Sequence, residues 1–141
     1  KTDDKKIAIV AGGIGIAPLL ELAKNLEIKA DFYGGFAVDP YFIDEFKPYV
    51  NNIVTSSERD EGLFILDKLN PDDYDLIYAC GPNPMLKALC EKNTKAKIQV
   101  SMEAHMGCGI GACLGCTVED KNGDFIRVCK DGPVFDAERI F

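Results

Sequence analysis

Through the first hundred residues, short apolar runs alternate with segments of helical spacing. Ile7 to Ala11 (IAIVA) is an unbroken apolar run of strand length, rich in β-branched side chains, and predicts a buried strand. Gly12 to Gly15 interrupt it as a tight loop. Pro18 follows at a first-turn position, and Leu19, Leu20, Leu22, Ala23 and Leu26 recur at the spacing of one helix face. The unit then repeats more loosely. Lys29 to Gly34 predicts a second strand, and Asp39 with Pro40 a cap and first turn for a short helix through Phe46. Asn52 to Thr55 predicts a third strand and Leu63 to Leu69 a short helix. Asp75 to Ala79 (DLIYA) predicts a fourth strand, and a helix from Pro84 carries Met85, Leu86, Ala88 and Leu89. Lys97 to Met102 predicts a fifth strand.

This alternation predicts an α/β architecture: a five-stranded parallel doubly wound sheet with helices on both faces. Ligands of such sheets bind at the carboxyl ends of the strands. Those ends carry Gly12–Gly15, Gly34–Gly35 and Cys80–Gly81. After Met102 the periodicity stops. Residues 106–116 are rich in Gly and Cys, and Thr117–Glu119 and Phe125–Val128 flank Asn122–Gly123, a strong hairpin-turn pair. The chain therefore divides into residues 1–102, a sheet with its helices, and residues 103–141, a small C-terminal loop-and-hairpin module.

Composition narrows the function. A length of 141 residues suits one compact domain with a small appendage. The net charge of −7 argues against a nucleic-acid partner, because phosphate contacts need clustered Lys and Arg. No apolar run approaches the roughly 20 residues that cross a bilayer, and no secretory leader opens the chain, so a cytoplasmic location is expected. The six cysteines then point to metal or redox chemistry rather than disulfides.

Two turns are candidates for dinucleotide contact. Gly12-Gly13-Ile14-Gly15-Ile16-Ala17-Pro18 lies between a strand and a helix, where glycines let the backbone approach a pyrophosphate and the helix N-terminus supplies N–H groups. It equally suits a turn that only closes the strand–helix unit. The full Rossmann fingerprint is not met, since Asp31 stands near the start of the second strand rather than at its end. Cys80-Gly81-Pro82 follows the fourth strand, and a small polarizable thiol there suits the flank of a planar ring, or simply a buried turn. Taken together, these turns resemble the nicotinamide domain of the ferredoxin–NADP reductase superfamily. The resemblance implies that Gly12, Gly13, Gly15, Ala17 and Pro18 meet the pyrophosphate of NAD(H), with a side chain at Gly15 colliding with it. It also implies that Cys80, Gly81 and Pro82 lie beside the nicotinamide, near the flavin it reduces.

The cysteines of the last third carry the sharpest signal. Cys108, Cys113, Cys116 and Cys129 are spaced C-x4-C-x2-C-x12-C, the plant-type [2Fe–2S] spacing, with two thiolates for each iron. Gly107, Gly109, Gly111 and Gly115 let the loop curl and turn its N–H groups toward the sulfurs. Zinc, which prefers two separated short pairs, and disulfides are the alternatives.

With the cluster loop included, the chain resembles the electron-transfer subunit family of heteromeric, NAD-dependent dihydroorotate dehydrogenases. The resemblance rests on Ser101-Met102-Glu103, on Met106 to Cys116, and on Val128-Cys129-Lys130-Asp131-Gly132-Pro133-Val134-Phe135. It implies three cofactors: the [2Fe–2S] cluster, NAD(H), and FAD held mainly by an N-terminal β-barrel. The chain opens at Lys1 rather than Met and is expected to be a C-terminal portion lacking that barrel. The implied partner is an FMN-containing catalytic subunit that oxidises dihydroorotate in pyrimidine biosynthesis, in a heterotetramer. Electrons would run from FMN through the cluster and FAD to NAD+, with no acid–base residue needed in this subunit. A nicotinamide–ferredoxin or sulfide-linked flavoprotein subunit, and a zinc-stabilised nucleotide-binding module, are the rival readings.

Five other features are weaker. His105 is the single histidine, read as a surface or interface residue. Cys90 reads as an inert small hydrophobe on a helix. Glu58, Asp60 and Glu61 suit an adenine ribose or a solvated loop. No basic pair follows the second strand to receive a 2′-phosphate, although Arg59 is near. Phe141 is either a flavin neighbour or only the last residue.

Overall fold

The computed structural model describes residues 5–61 and 64–141. Its centre is a sheet of β1 (Ile7–Gly12), β2 (Ala30–Phe36), β3 (Val50–Ser57), β4 (Leu76–Cys80) and β5 (Lys97–Ser101), joined by β8 (Val134–Asp136). The order is β3-β2-β1-β4-β5-β8. The first five strands are parallel, and β8 runs antiparallel to β5, pairing Val100 with Phe135. The expected five-stranded sheet is thus corrected to six strands. Three residues with one buried side chain leave no periodic trace, so β8 exists only because the edge of β5 offers it hydrogen bonds.

Side-chain alternation in β1 and β4 builds two cores. Ala8, Val10, Ile77 and Ala79 face one side, where Leu86 and Leu89 of α3 (Asn83–Lys92) pack on them. Ile7, Ile9, Ala11 and Cys80 face the other, against Ile16, Leu19 and Ala23 of α1 (Ile16–Asn25). Burying each large side chain, such as Phe32 or Leu86, contributes about 1.5–3 kcal/mol. The chain runs outward from β1 through β2 to β3, then returns to β4 beside β1. This reversal opens a crevice at the carboxyl ends of β1 and β4, where Ala11 is in register with Cys80.

Two expected helices take other forms. Residues 40–46 form turns rather than a helix. Phe42 sits at φ +63°, outside helical geometry, and Pro48 has no N–H to continue one. Phe46 is nevertheless fully buried, its ring 4.3 Å from that of Phe32. The Leu63–Leu69 segment is a short 3-10 turn over Ile65–Lys68, and Leu63 lies outside the described residues.

Residues 103–141 form the cysteine loop, then the hairpin β6 (Thr117–Glu119) and β7 (Phe125–Arg127), with Gly123 at φ +86° in its turn. One helical turn, α4 (Val128–Asp131), leads to β8, and α5 (Ala137–Ile140) closes the chain. Ile126, Val128, Phe135 and Ala137 enter the same core as Val100 and Leu86. The module therefore rests on the sheet through a shared apolar core. Phe141 packs partly buried against that core, and its N–H donates to the Ala137 carbonyl at 2.9 Å.

Candidate functional site

The glycine loop and the Cys80 turn meet backbone to backbone. A Cβ on Gly15 would strike the Cys80 carbonyl oxygen and stand 2.9 Å from the Gly81 nitrogen. A Cβ on Gly81 would stand 3.0 Å from the Gly12 Cα, and one on Gly12 would lie 2.7 Å from the Met85 sulfur. These glycines are required by the fold itself, which changes the reason expected for Gly15: the Cys80 peptide, not a pyrophosphate, occupies the space of its side chain. Gly13 is different. It sits at φ +54° with no atom within 4 Å of where its Cβ would be, so it is the loop residue that faces open space.

Two clefts meet on this loop. One, of about 520 Å³, runs over the ends of β1, β2 and β3, with Gly35, Phe36, Ser56 and Phe64 on one side and Met85 on the other. The second, of about 350 Å³, lies between Ile14, Gly81, Asn83 and Glu103. Gly12, Gly13 and Pro82 line both. Ala17 and Pro18 are exposed on the first turn of α1 and line neither cleft. Glu58 lines the larger one, whereas the side chains of Asp60 and Glu61 lie outside the described residues.

Cys80 is fully buried, with its thiol 3.8 Å from a Glu103 carboxylate oxygen. Burial, then the Glu103 charge, pushes the thiol from an ordinary 9.0 up to about 11. At neutral pH it is a protonated thiol, buried behind the groove and unsuited to nucleophilic attack. In the sequence Glu103 stands out only as part of a motif, and nothing there anticipates its contact with Cys80. It stands 23 residues from Cys80, and only the parallel pairing of β4 with β5 brings the two together.

The raised pKa makes stability pH-dependent. An unfolded chain releases this proton near 9, whereas the folded chain holds it to about 11. The contribution is therefore complete below pH 9 and is lost as pH rises from 9 to 11, amounting to about 3 kcal/mol. Denaturant unfolding of the full-length protein is expected to show this alkaline decline, with a shallower decline in Cys80→Ala. Identical slopes in the two proteins would sink the assignment.

In the cysteine loop, backbone N–H groups point at sulfur. The Cys108 sulfur accepts from Ile110, Ala112 and Cys113 at 3.4, 3.3 and 3.4 Å. The Cys113 sulfur accepts from Gly115 at 3.4 Å, and Cys116 accepts from the Cys129 N–H at 3.4 Å. Led by the Cys113 amide, these donors bring Cys108 down to about 6, so it is a thiolate at neutral pH. The Cys129 amide lowers Cys116 in the same way. Side-chain contacts pair Cys108 with Cys113 and Cys116 with Cys129, and the charge of Cys108 is felt at Cys129. Gly107 and Gly115 stand where a Cβ would lie 3.2 and 3.4 Å from the Cys113 sulfur.

All six cysteines are free thiols. Among the described residues no three His, Cys, Asp or Glu side chains converge as a single metal ion requires. The thiols stand two and two instead. Cysteine sulfurs in two pairs, supplied with amide N–H groups, fit a two-iron cluster. His105 is exposed, and its carbonyl lies 4.0 Å from where a Cβ on Gly115 would be. Cys90 is half-buried against the core, its thiol pushed up by burial and then by Glu91.

Comparison with known proteins agrees with this geometry. Residues 103–141 match the family described as the iron–sulfur cluster binding domain of dihydroorotate dehydrogenase B. The electron transfer subunit of dihydroorotate dehydrogenase B (NAD+) from Clostridium perfringens is 44% identical over 98% of this chain and 60% of its own length. Its counterpart from Caldanaerobacter subterraneus is 41% identical over 98% of this chain and 60% of its own length. The chain thus spans about three fifths of these relatives. Among solved structures, a chain from an NADH-dependent reduced ferredoxin–NADP oxidoreductase, studied for flavin-based electron bifurcation, superposes with a TM-score of 0.80. It is 28% identical, with 96% of this chain and 54% of that chain covered. Residues 103–141 thus match the iron–sulfur cluster binding domain of dihydroorotate dehydrogenase B, and nearly the whole chain is similar to about three fifths of the length of electron transfer subunits of that enzyme.

Proposed function

We propose that this chain relays electrons between a dihydroorotate-oxidising, FMN-containing catalytic subunit and NAD+, in a cytoplasmic heterotetramer serving pyrimidine biosynthesis. Residues 1–102 hold NAD(H), and residues 103–141 hold a [2Fe–2S] cluster through Cys108, Cys113, Cys116 and Cys129. FAD belongs mainly to a further domain of the full-length protein. Among the described residues no helix is long and apolar enough to cross a membrane.

When bound, the cluster supplies one-electron transfer, and the flavin and nicotinamide supply the hydride chemistry. The chain's own residues bind and orient. Gly13 leaves open space over the groove for a pyrophosphate beside the start of α1. The two clefts on either side of it suit the two bases of a dinucleotide. Gly81 and Pro82, which line the smaller cleft, offer the nicotinamide an uncharged wall, with the Cys80 thiol buried behind it. None of these residues needs to move a proton during the relay.

The observation that carries the proposal is the array of five N–H donors on the sulfurs of two cysteine pairs. The test is a visible spectrum of the full-length protein with its catalytic partner, taken before and after adding dihydroorotate. Red-brown absorbance that bleaches with dihydroorotate and recovers with NAD+ is expected. A colourless, zinc-containing protein would overturn the cluster. The resemblance to a ferredoxin–NADP oxidoreductase chain favours one second reading, in which the electron partner is a ferredoxin. Bleaching by reduced ferredoxin but not by dihydroorotate would select it.

A further inference from the structure

We infer that Arg127 is a positioning residue that sets the reduction potential of the cluster, acting through the peptide between Gly111 and Ala112. This rests on the reading of residues 103–141 as cluster ligands. Arg127 ends β7 beside the cysteine loop, and its guanidinium is fixed from behind. Its Nε donates to the Asp131 carboxylate at 3.3 Å, and a terminal nitrogen reaches the other carboxylate oxygen at 3.5 Å. The Arg127 backbone N–H donates to the same carboxylate at 2.7 Å, so residue and partner are locked at two levels. Arg127 holds the Asp131 carboxyl below its ordinary range, and both side chains are about two-thirds buried.

The other terminal nitrogen of the fork donates to the Gly111 carbonyl at 3.2 Å. A trans peptide points its carbonyl and its N–H in opposite directions. The far side of this peptide is the Ala112 N–H, and it donates to the Cys108 sulfur at 3.3 Å. One rigid peptide thus links a fixed cation to a ligand sulfur. The cation both orients the N–H and polarises it, and hydrogen bonds in such chains strengthen one another. The glycine that carries this carbonyl is fixed in turn by its backbone geometry. The residue stands at φ +81°, and a Cβ would lie 2.7 Å from the Lys130 side chain, so the position needs glycine.

Accepting one electron adds one negative charge to the cluster and takes up no proton. Hydrogen bonds to ligand sulfurs and nearby positive charge favour that state and raise the potential. Arg127 supplies both through a single contact.

The experiment is a redox titration of the full-length holoprotein, with the reduced cluster followed by electron paramagnetic resonance and iron measured in every sample. Arg127→Leu is expected to lower the ratio of reduced to oxidised cluster about tenfold at a fixed potential, a shift of about 59 mV for one electron. Arg127→Lys keeps the charge but cannot hold Asp131 and Gly111 together, and a smaller shift is expected. Lys121→Gln, which removes one exposed cation from the hairpin turn, is expected to titrate as the wild type. An iron-loaded Arg127→Leu protein at wild-type potential overturns the inference, and so does an equal shift in Lys121→Gln. If Arg127→Leu takes up no iron, Arg127→Lys decides, a lowered potential supporting the clamp and an unchanged one refuting it. A wild-type protein without iron would instead refute the cluster itself.

Discussion

Cys113→Ser in the full-length protein is expected to lose its iron and its visible absorbance while the central sheet stays folded. Cys113 is exposed, and its sulfur is cradled by Gly107 and Gly115 rather than packed in the core. A serine there removes no buried apolar surface, so far-UV circular dichroism and the denaturation midpoint are expected to hold. It does remove one of the two sulfurs from its pair with Cys108, and an alcohol is a poor iron ligand in its place. Electron transfer from dihydroorotate to NAD+ is expected to vanish with the iron. Cys116→Ser makes the contrast: Cys116 is 3% exposed and shares its core with Ile126 and Val128, so loss of iron should come with about 1–3 kcal/mol of lost stability. Retained iron, colour and turnover in Cys113→Ser would remove it from the ligand set.

Gly15→Val is expected to destabilise the protein by about 3 kcal/mol or more, even with no nucleotide present. Its Cβ alone meets the Cys80 carbonyl and the Gly81 nitrogen, and these are backbone atoms that cannot swing aside. Separating the glycine loop from the Cys80 turn deforms the groove, so dinucleotide affinity is expected to fall as well. Gly13→Ala separates the two effects. Its methyl meets open space, so beyond about 1 kcal/mol of left-handed backbone strain the fold is expected to tolerate it, and weakened dinucleotide binding is the main result. Unfolding curves and calorimetric titration read both quantities. A Gly15→Val protein of wild-type stability with impaired nucleotide binding would show that the ligand, not the Cys80 peptide, takes up that space.

Wherever the determinant lay within a few adjacent residues, it was readable from the chain. The run Ile7–Ala11 had to be a buried strand, and the glycines after it had to turn tightly. The spacing of Cys108, Cys113 and Cys116, with three glycines between them, marked one short loop that supplies three sulfurs. Five strands of the central sheet followed from apolar runs that are long or branched enough to need no partner for their recognition. The turns at residues 40–46 show the limit of such local signals: a cap and a first-turn proline are present, but the left-handed Phe42 and the burial of Phe46 against Phe32 prevail.

Contacts between distant segments followed another logic. The strand Val134–Asp136 is too short to carry a pattern, and it forms because β5 presents an open edge and Phe135 finds the core beside Val100. Glu103 meets Cys80, Gly15 meets the Cys80 peptide, and Arg127 meets Gly111 across separations along the chain that no spacing rule anticipates. Local order depends on backbone and periodicity, which are properties of neighbours in sequence. The environment of the thiol, the reason for each glycine and the field at the cysteine loop depend on which surfaces come to lie together, and that is settled only when the sheet has paired and its cores have closed.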